Sequence, residues 1–185
     1  GRKQVTSQGK NANTSVSGVT AEYASVRNIT VAHGAFFTAV QDTSLAKVAF
    51  IGPDVNTELF GENTNSVGKK IRIGSVDFTV IGIATVRGST GFGSSDDFIY
   101  IPLSTAQQFF SGNKSLSLIN IKIKNGADMT EASAQATSLL KAAHKIDAAE
   151  EADFRIMNQS DIVATASSVT STLTALLGAV AGISL

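Results

Sequence analysis

Lys70-Ile71-Arg72-Ile73-Gly74-Ser75-Val76-Asp77-Phe78-Thr79-Val80-Ile81-Gly82-Ile83 is the most regular stretch of the chain. Charge and apolar side chain alternate through Ile73, a Gly-Ser pair interrupts, and the alternation resumes in Val76. Period-two patterning on both sides of a two-residue turn predicts a β-hairpin with one face in a core. Working outward, Lys47-Val48-Ala49-Phe50-Ile51 is a short apolar run closed by Gly52-Pro53 and reads as a buried strand. Pro53 suits a first helical turn, Val55, Leu59 and Phe60 carry helical spacing, and Gly61 is a natural stop. On the other side, Phe98-Ile99-Tyr100-Ile101 reads as a strand stopped by Pro102. Ser104 with Gln107 three residues on reads as a capping box opening a helix over 105–110.

The flanks are less regular. Residues 1–14 are polar and read as an exposed hairpin or a frayed end. Residues 15–20 read as a strand, 21–26 as a short helical turn and 29–32 as another strand ending at His33-Gly34. Residues 116–123 and 153–157 read as strands. Between them Thr130 reads as the cap of a helix bearing Ala134, Leu139, Leu140 and Ala143. These elements together predict an α+β or mixed α/β fold in two lobes.

The chain has 185 residues, enough for a sizeable core without cross-links. Fifteen basic residues balance fifteen acidic ones. No basic stripe is present, so nucleic acid is not an expected partner. Without cysteine there is no disulfide, thiol nucleophile or zinc–thiolate site. No signal peptide opens the chain, so Gly1 reads as a point inside a longer gene product. At the other end Ile162, Ala166, Val169 and Leu173 mark one helical face, and residues 173–185 are apolar or small all round. Thirteen such residues fit either a buried helix or the first half of a membrane span, which needs about 20.

Chemistry is sparse. Asp96-Asp97 reads as a solvated strand entry. Asp147, Glu150, Glu151 and Asp153 read as an exposed turn. His33 and His144 are the only histidines, and no Gly-x-Ser-x-Gly elbow accompanies them. Residues 88–95 resemble a phosphate loop only in composition, lacking the Gly-Lys-Ser/Thr ending. No catalytic, metal-binding or cofactor-binding residue is assigned. Within the Gly/Ser loop 87–97, residues 88–95 read as a mobile contact surface, with Phe92, Gly93 and Ser94 as partner-contact candidates and Phe92 as its apolar anchor.

Several strings, in order, carry a resemblance. They are Gly18-Val19-Thr20-Ala21-Glu22-Tyr23, Val26-Arg27-Asn28 and Gly34-Ala35-Phe36-Phe37-Thr38. Next come Val48-Ala49-Phe50-Ile51-Gly52 with Glu58-Leu59-Phe60-Gly61, and Ser66-Val67-Gly68-Lys69-Lys70-Ile71-Arg72-Ile73-Gly74 with Phe78-Thr79-Val80-Ile81-Gly82. Phe98-Ile99-Tyr100-Ile101-Pro102-Leu103-Ser104-Thr105-Ala106-Gln107 closes the series. From about Val16 to Leu185 the chain resembles the periplasmic core domain of MacB-like, FtsX-like ABC-transporter permeases.

The resemblance implies a discontinuous membrane-proximal βαβ lobe, 1–35 plus 111–160, missing its first strand and helix. It implies an inserted mixed α/β lobe, 36–110, and a connecting helix, 161–185, that enters the membrane as the second transmembrane helix. It also implies an extracytoplasmic location and a relay of ATP-driven motion. The implied partners are a periplasmic adaptor (membrane fusion) protein, an ATP-binding subunit or domain, and a second permease copy. A secreted or surface ligand-binding module and a hydrolase are the competing readings.

Overall fold

The computed structural model describes residues 1–90, 93–124, 126–147, 150–158, 167, 170–174 and 176. Two compact units divide it, Gly1–Ile121 and Lys122–Leu185.

The first unit is a mixed sheet with short helices. Its strands are β1 (Arg2–Ser7), β2 (Lys10–Val19), β3 (Val31–Gly34), β4 (Val48–Ile51), β5 (Lys70–Ile73), β6 (Val76–Ala84) and β9 (Phe98–Pro102), with the small ribbon β7 (Ser89–Thr90) and β8 (Gly93–Ser94) apart. The expected hairpin is β5–β6, in register from Lys70 opposite Thr79 to Ile73 opposite Val76. Thr79 also pairs with Val48 of β4, so β4 and β5 lie on opposite edges of β6. Ile83 pairs with both Ile51 and His33, which puts β3 on the edge that β5 vacates. Following the ladders β6–β4–β9–β2–β1–β5 returns to β6. Six strands therefore close on themselves, which removes most free edges.

Closure explains the core. Val5, Ala12, Val16, Ile71, Ile73, Phe78, Val80 and Ile99 alternate with exposed or half-buried neighbours and meet, with Ile101, in one cluster. Helix α3 (Pro53–Phe60) adds Val55 and Leu59 to the same cluster. Each fully buried Val, Leu, Ile or Phe side chain among these contributes about 1.5–3 kcal/mol by leaving water. Gly82 lies where β4 and β6 shift register between Ala49 and Phe50. A Cβ there would stand 2.5 Å from the Ala35 carbonyl oxygen and 2.9 Å from Phe50, so only glycine fits.

Thr14 is fully buried on β2, and among the described residues its hydroxyl has no hydrogen-bond partner. Burying an unpaired hydroxyl is unfavourable. Thr14→Val is expected to raise stability by about 1 kcal/mol, seen as a melting temperature about 2–4 °C higher. A lower melting temperature would mean that the hydroxyl is satisfied.

Several sequence expectations need correction. Residues 1–14 do form a hairpin, β1 with β2, but it is not an exposed one, because Val5, Ala12 and Thr14 are core positions. Strands β1, β2 and β3 belong to the same sheet as the strands within 36–110. The reason is pairing: β2 runs parallel to β9, with Val16 opposite Ile99. Ser104 caps nothing. It sits inside α4 (Leu103–Ala106), where its amide donates to Asp42 Oδ1 at 2.8 Å, and a π turn, Gln107–Ser111, follows. The capping box is instead Thr38 with Gln41, opening α2 (Ala39–Thr43). Residues 116–123 form no strand, and Leu118 and Ile121 are exposed. A strand exists only where a neighbour meets its N–H and C=O groups, and no ladder among the described residues does so. The expected short helical turn is α1 (Tyr23–Val26).

The second unit holds α5 (Met129–His144). Its cap is Asp128, not Thr130: the Asp128 carboxylate accepts the Thr130 and Glu131 amides at 2.7 and 3.4 Å. Those amides hold the Asp128 carboxyl below its ordinary value. The capping contribution is therefore full above the ordinary aspartate range and is lost as pH falls through the depressed value. On acidification, the Thr130 and Glu131 amide shifts are expected to titrate with a midpoint below that of a free aspartate. A midpoint at the free value would mean an idle cap. Residues 153–157 are likewise not a strand. Asp153 instead pairs with His144 at 2.8 Å, so it is not merely a solvated acid. Most of the apolar tail lies outside the described residues. Residues 170–174 are helical, the Thr174 hydroxyl donating to the Thr170 carbonyl at 2.9 Å, and no described helix is long and apolar enough to cross a membrane.

Candidate functional site: a clamped loop

The 87–97 loop leaves β6 and returns into β9. Its two legs are joined by one side chain. Asp96 is buried, and its carboxylate accepts the Arg87 amide at 3.0 and 3.1 Å and the Gly88 amide at 2.9 Å. A buried carboxylate facing backbone N–H groups is a strong, charge-assisted arrangement. The Asp96 amide in turn donates to Ser94 Oγ at 3.1 Å, and the Ser94 hydroxyl donates to the Asp54 carboxylate on α3.

Both legs also reach the scaffold. The Arg87 guanidinium donates to the Arg27 and Asn28 carbonyls just past the end of α1. Asp97 pairs with Arg2 of β1 at 2.8 Å. The Gly52 amide donates to the Phe98 carbonyl at 2.8 Å, and a Cβ on Gly52 would stand 2.0 Å from the Asp96 carbonyl oxygen. Backbone meets backbone there, which demands glycine.

Beside the loop, Phe98 stacks on Tyr100 at 4.4 Å between ring centres, and Tyr23 meets Tyr100 edge-on at 5.1 Å. Burial pushes the Tyr100 phenol well above its ordinary value, so it stays protonated at any physiological pH.

The clamp corrects two expectations. Asp96-Asp97 is not a solvated strand entry, because Asp96 is an internal fastener and Asp97 an ion-pair partner. The loop is not wholly irregular, because β7 and β8 pair Ser89 with Ser94 and Thr90 with Gly93. Of the contact candidates, Gly93 and Ser94 lie on β8, and Ser94 is exposed while anchoring the loop. Phe92 lies outside the described residues. Sequence reading missed the Asp96 role, although a signal existed: an acid eight residues after Arg87-Gly88, just before a strand, can accept the amides of the opposite leg. With its oxygens engaged, Asp96 is suited to holding a shape, not to moving a proton. Among the described residues no three His, Asp or Glu side chains converge to hold a metal ion.

Residues 1–139 match the MacB-like periplasmic core domain family. The chain belongs to this family. The macrolide export ATP-binding/permease protein MacB of Bdellovibrio bacteriovorus is 34% identical over 186 residues, spanning 100% of this chain and 28% of that protein. MacB of Rhodospirillum rubrum is 34% identical over 173 residues, 93% of this chain and 26% of that protein. The chain thus spans little more than a quarter of these curated relatives. Its fold matches the periplasmic region of MacB from Actinobacillus actinomycetemcomitans with a TM-score of 0.73 at 23% identity, over 90% of this chain and 72% of that one. The extracellular domain of the noncanonic ABC-type transporter YknZ from Gram-positive bacteria gives 0.70 at 20% identity, over 85% and 77%. The MacB-like resemblance expected from the sequence strings is borne out, as is a mixed α/β fold.

Proposed function

We propose that this MacB-like domain works on the extracytoplasmic side of the cell membrane. There it passes ATP-driven motion of the membrane helices to an adaptor protein and so supports export of the macrolide type named for its relatives. The observation that supports this reading best is the clamped 87–97 loop: a closed sheet carries it, and fasteners on α1, α3 and β1 hold both its legs. A loop so held can transmit displacement to a partner, which a floppy one cannot.

The domain itself performs no chemical turnover, and ATP is hydrolysed in a separate ATP-binding domain or subunit. The apolar tail, 173–185, continues as a transmembrane helix, and a second permease copy completes the transporter. Phe92 is the anchor for the adaptor, in a periplasmic setting. Phe92→Ala in the intact transporter is expected to weaken adaptor binding about tenfold, the effect of losing one aromatic anchor, without lowering the melting temperature. Unchanged adaptor affinity would remove the loop from the interface.

A further inference from the structure

We propose that the groove between the β1–β2 turn and the β5–β6 hairpin binds a small soluble molecule carrying a phosphate or carboxylate on a hydroxyl-rich frame, such as a sugar acid or sugar phosphate. The groove is open to solvent and has a volume of about 430 Å³, within the range of small-ligand sites.

Strand register builds it. Thr6 pairs with Asn11 on β2 and with Arg72 on β5, and Arg72 pairs with Asp77 on β6. Residues paired across a sheet share a face, so Asn11, Thr6, Arg72 and Asp77 form one polar row across four strands, all of it exposed. Lys70 stands on the same face two residues before Arg72. The turn residues Gln8 and Gly9, with φ of 50° and 81°, fold the chain back so that Gln8 and Lys10 complete the lining. The Ser7 hydroxyl ties the two hairpins together through the Lys70 carbonyl at 2.8 Å.

Charge selects the ligand. Asp77 accepts Arg72 Nε at 2.7 Å and its NH2 group at 3.2 Å, and this pairing holds the Asp77 carboxyl below its ordinary range. Asp77 thereby stays ionised and offsets Arg72. Lys10 and Lys70 remain as a local excess of two positive charges in a chain with no net charge. Ammonium groups bind phosphate or carboxylate as point charges. The amides of Gln8 and Asn11 and the Thr6 hydroxyl both donate and accept, which suits ligand hydroxyls. A polyanion is not favoured, because the excess is confined to one groove and no basic stripe extends from it.

The inference stands apart from the transport reading and is tested on the 185-residue chain alone. Glucose 6-phosphate, inorganic phosphate, glucose and phosphatidylglycerol vesicles are titrated while backbone amide shifts are followed, ionic strength being constant. Glucose 6-phosphate is expected to shift residues 6–11 and 70–72 saturably and to bind more tightly than inorganic phosphate, with glucose alone weaker still. Lys10→Gln with Lys70→Gln is expected to cut affinity at least about tenfold, from the lost charge-assisted bonds, with an unchanged melting temperature. Four results would each overturn the proposal: no saturation by about 10 mM, where affinity falls to a non-specific level; equal binding of glucose; full affinity in the double variant; or binding to the vesicles only.

Discussion

Asp96→Ala is expected to destabilise the domain by about 3 kcal/mol, because it strands the Arg87 and Gly88 amides that the buried carboxylate now accepts. For a chain of this size that corresponds to a melting temperature about 6–12 °C lower. Asp96→Asn keeps the shape and one acceptor oxygen, so it should lose roughly half as much. Neither change touches the core cluster, so the amide shifts of Val5, Phe78 and Ile99 should stay in place while those of residues 86–90 move. If thermal unfolding of Asp96→Ala matched the parent, the clamp would be an ornament of the structure and not its fastener.

The second large effect is expected at Phe78→Ala. Phe78 is 1% exposed, sits inside the closed ladder and stacks against Phe110 with ring centres 6.1 Å apart. Closed sheets cannot collapse easily around a hole, since every strand is held on both edges. A loss of about 3–5 kcal/mol is therefore expected, a large share of the roughly 5–15 kcal/mol that stabilises a typical domain. Chemical denaturation gives the number directly. A loss below about 1.5 kcal/mol, typical of a tolerated core change, would argue that the ladder opens to fill the space.

These two residues show what the sequence makes legible. Phe78 is readable because its neighbours alternate with it, and alternation is a local property of a half-buried strand. The hairpin from Lys70 to Ala84, β4 with its Gly52-Pro53 stop, and α3 are all local in this way. Ring closure is not. It depends on Val5 meeting Ile73 and Val16 meeting Ile99, contacts between residues far apart in the chain. The polar look of residues 1–14 hides that Val5, Ala12 and Thr14 face inward. The role of Asp96 is equally non-local, since its value comes from amides on the other leg of the loop. Residues 116–123 show the converse: strand propensity without a pairing neighbour gives no strand. Caps fall between these cases, since Thr38 and Asp128 are good capping residues but Ser104 and Thr130 look equally good from the sequence.

In the proposed function this domain relays motion from the membrane helices to an adaptor protein. ATP hydrolysis and export should be measured side by side in the intact transporter carrying Asp96→Asn. A relay that has lost its clamp is expected to leave hydrolysis running while export falls several-fold, because the ATP-binding domain is untouched and only the link to the adaptor is loosened. Export that falls only in proportion to hydrolysis, or that stays at the parental level, would contradict the relay.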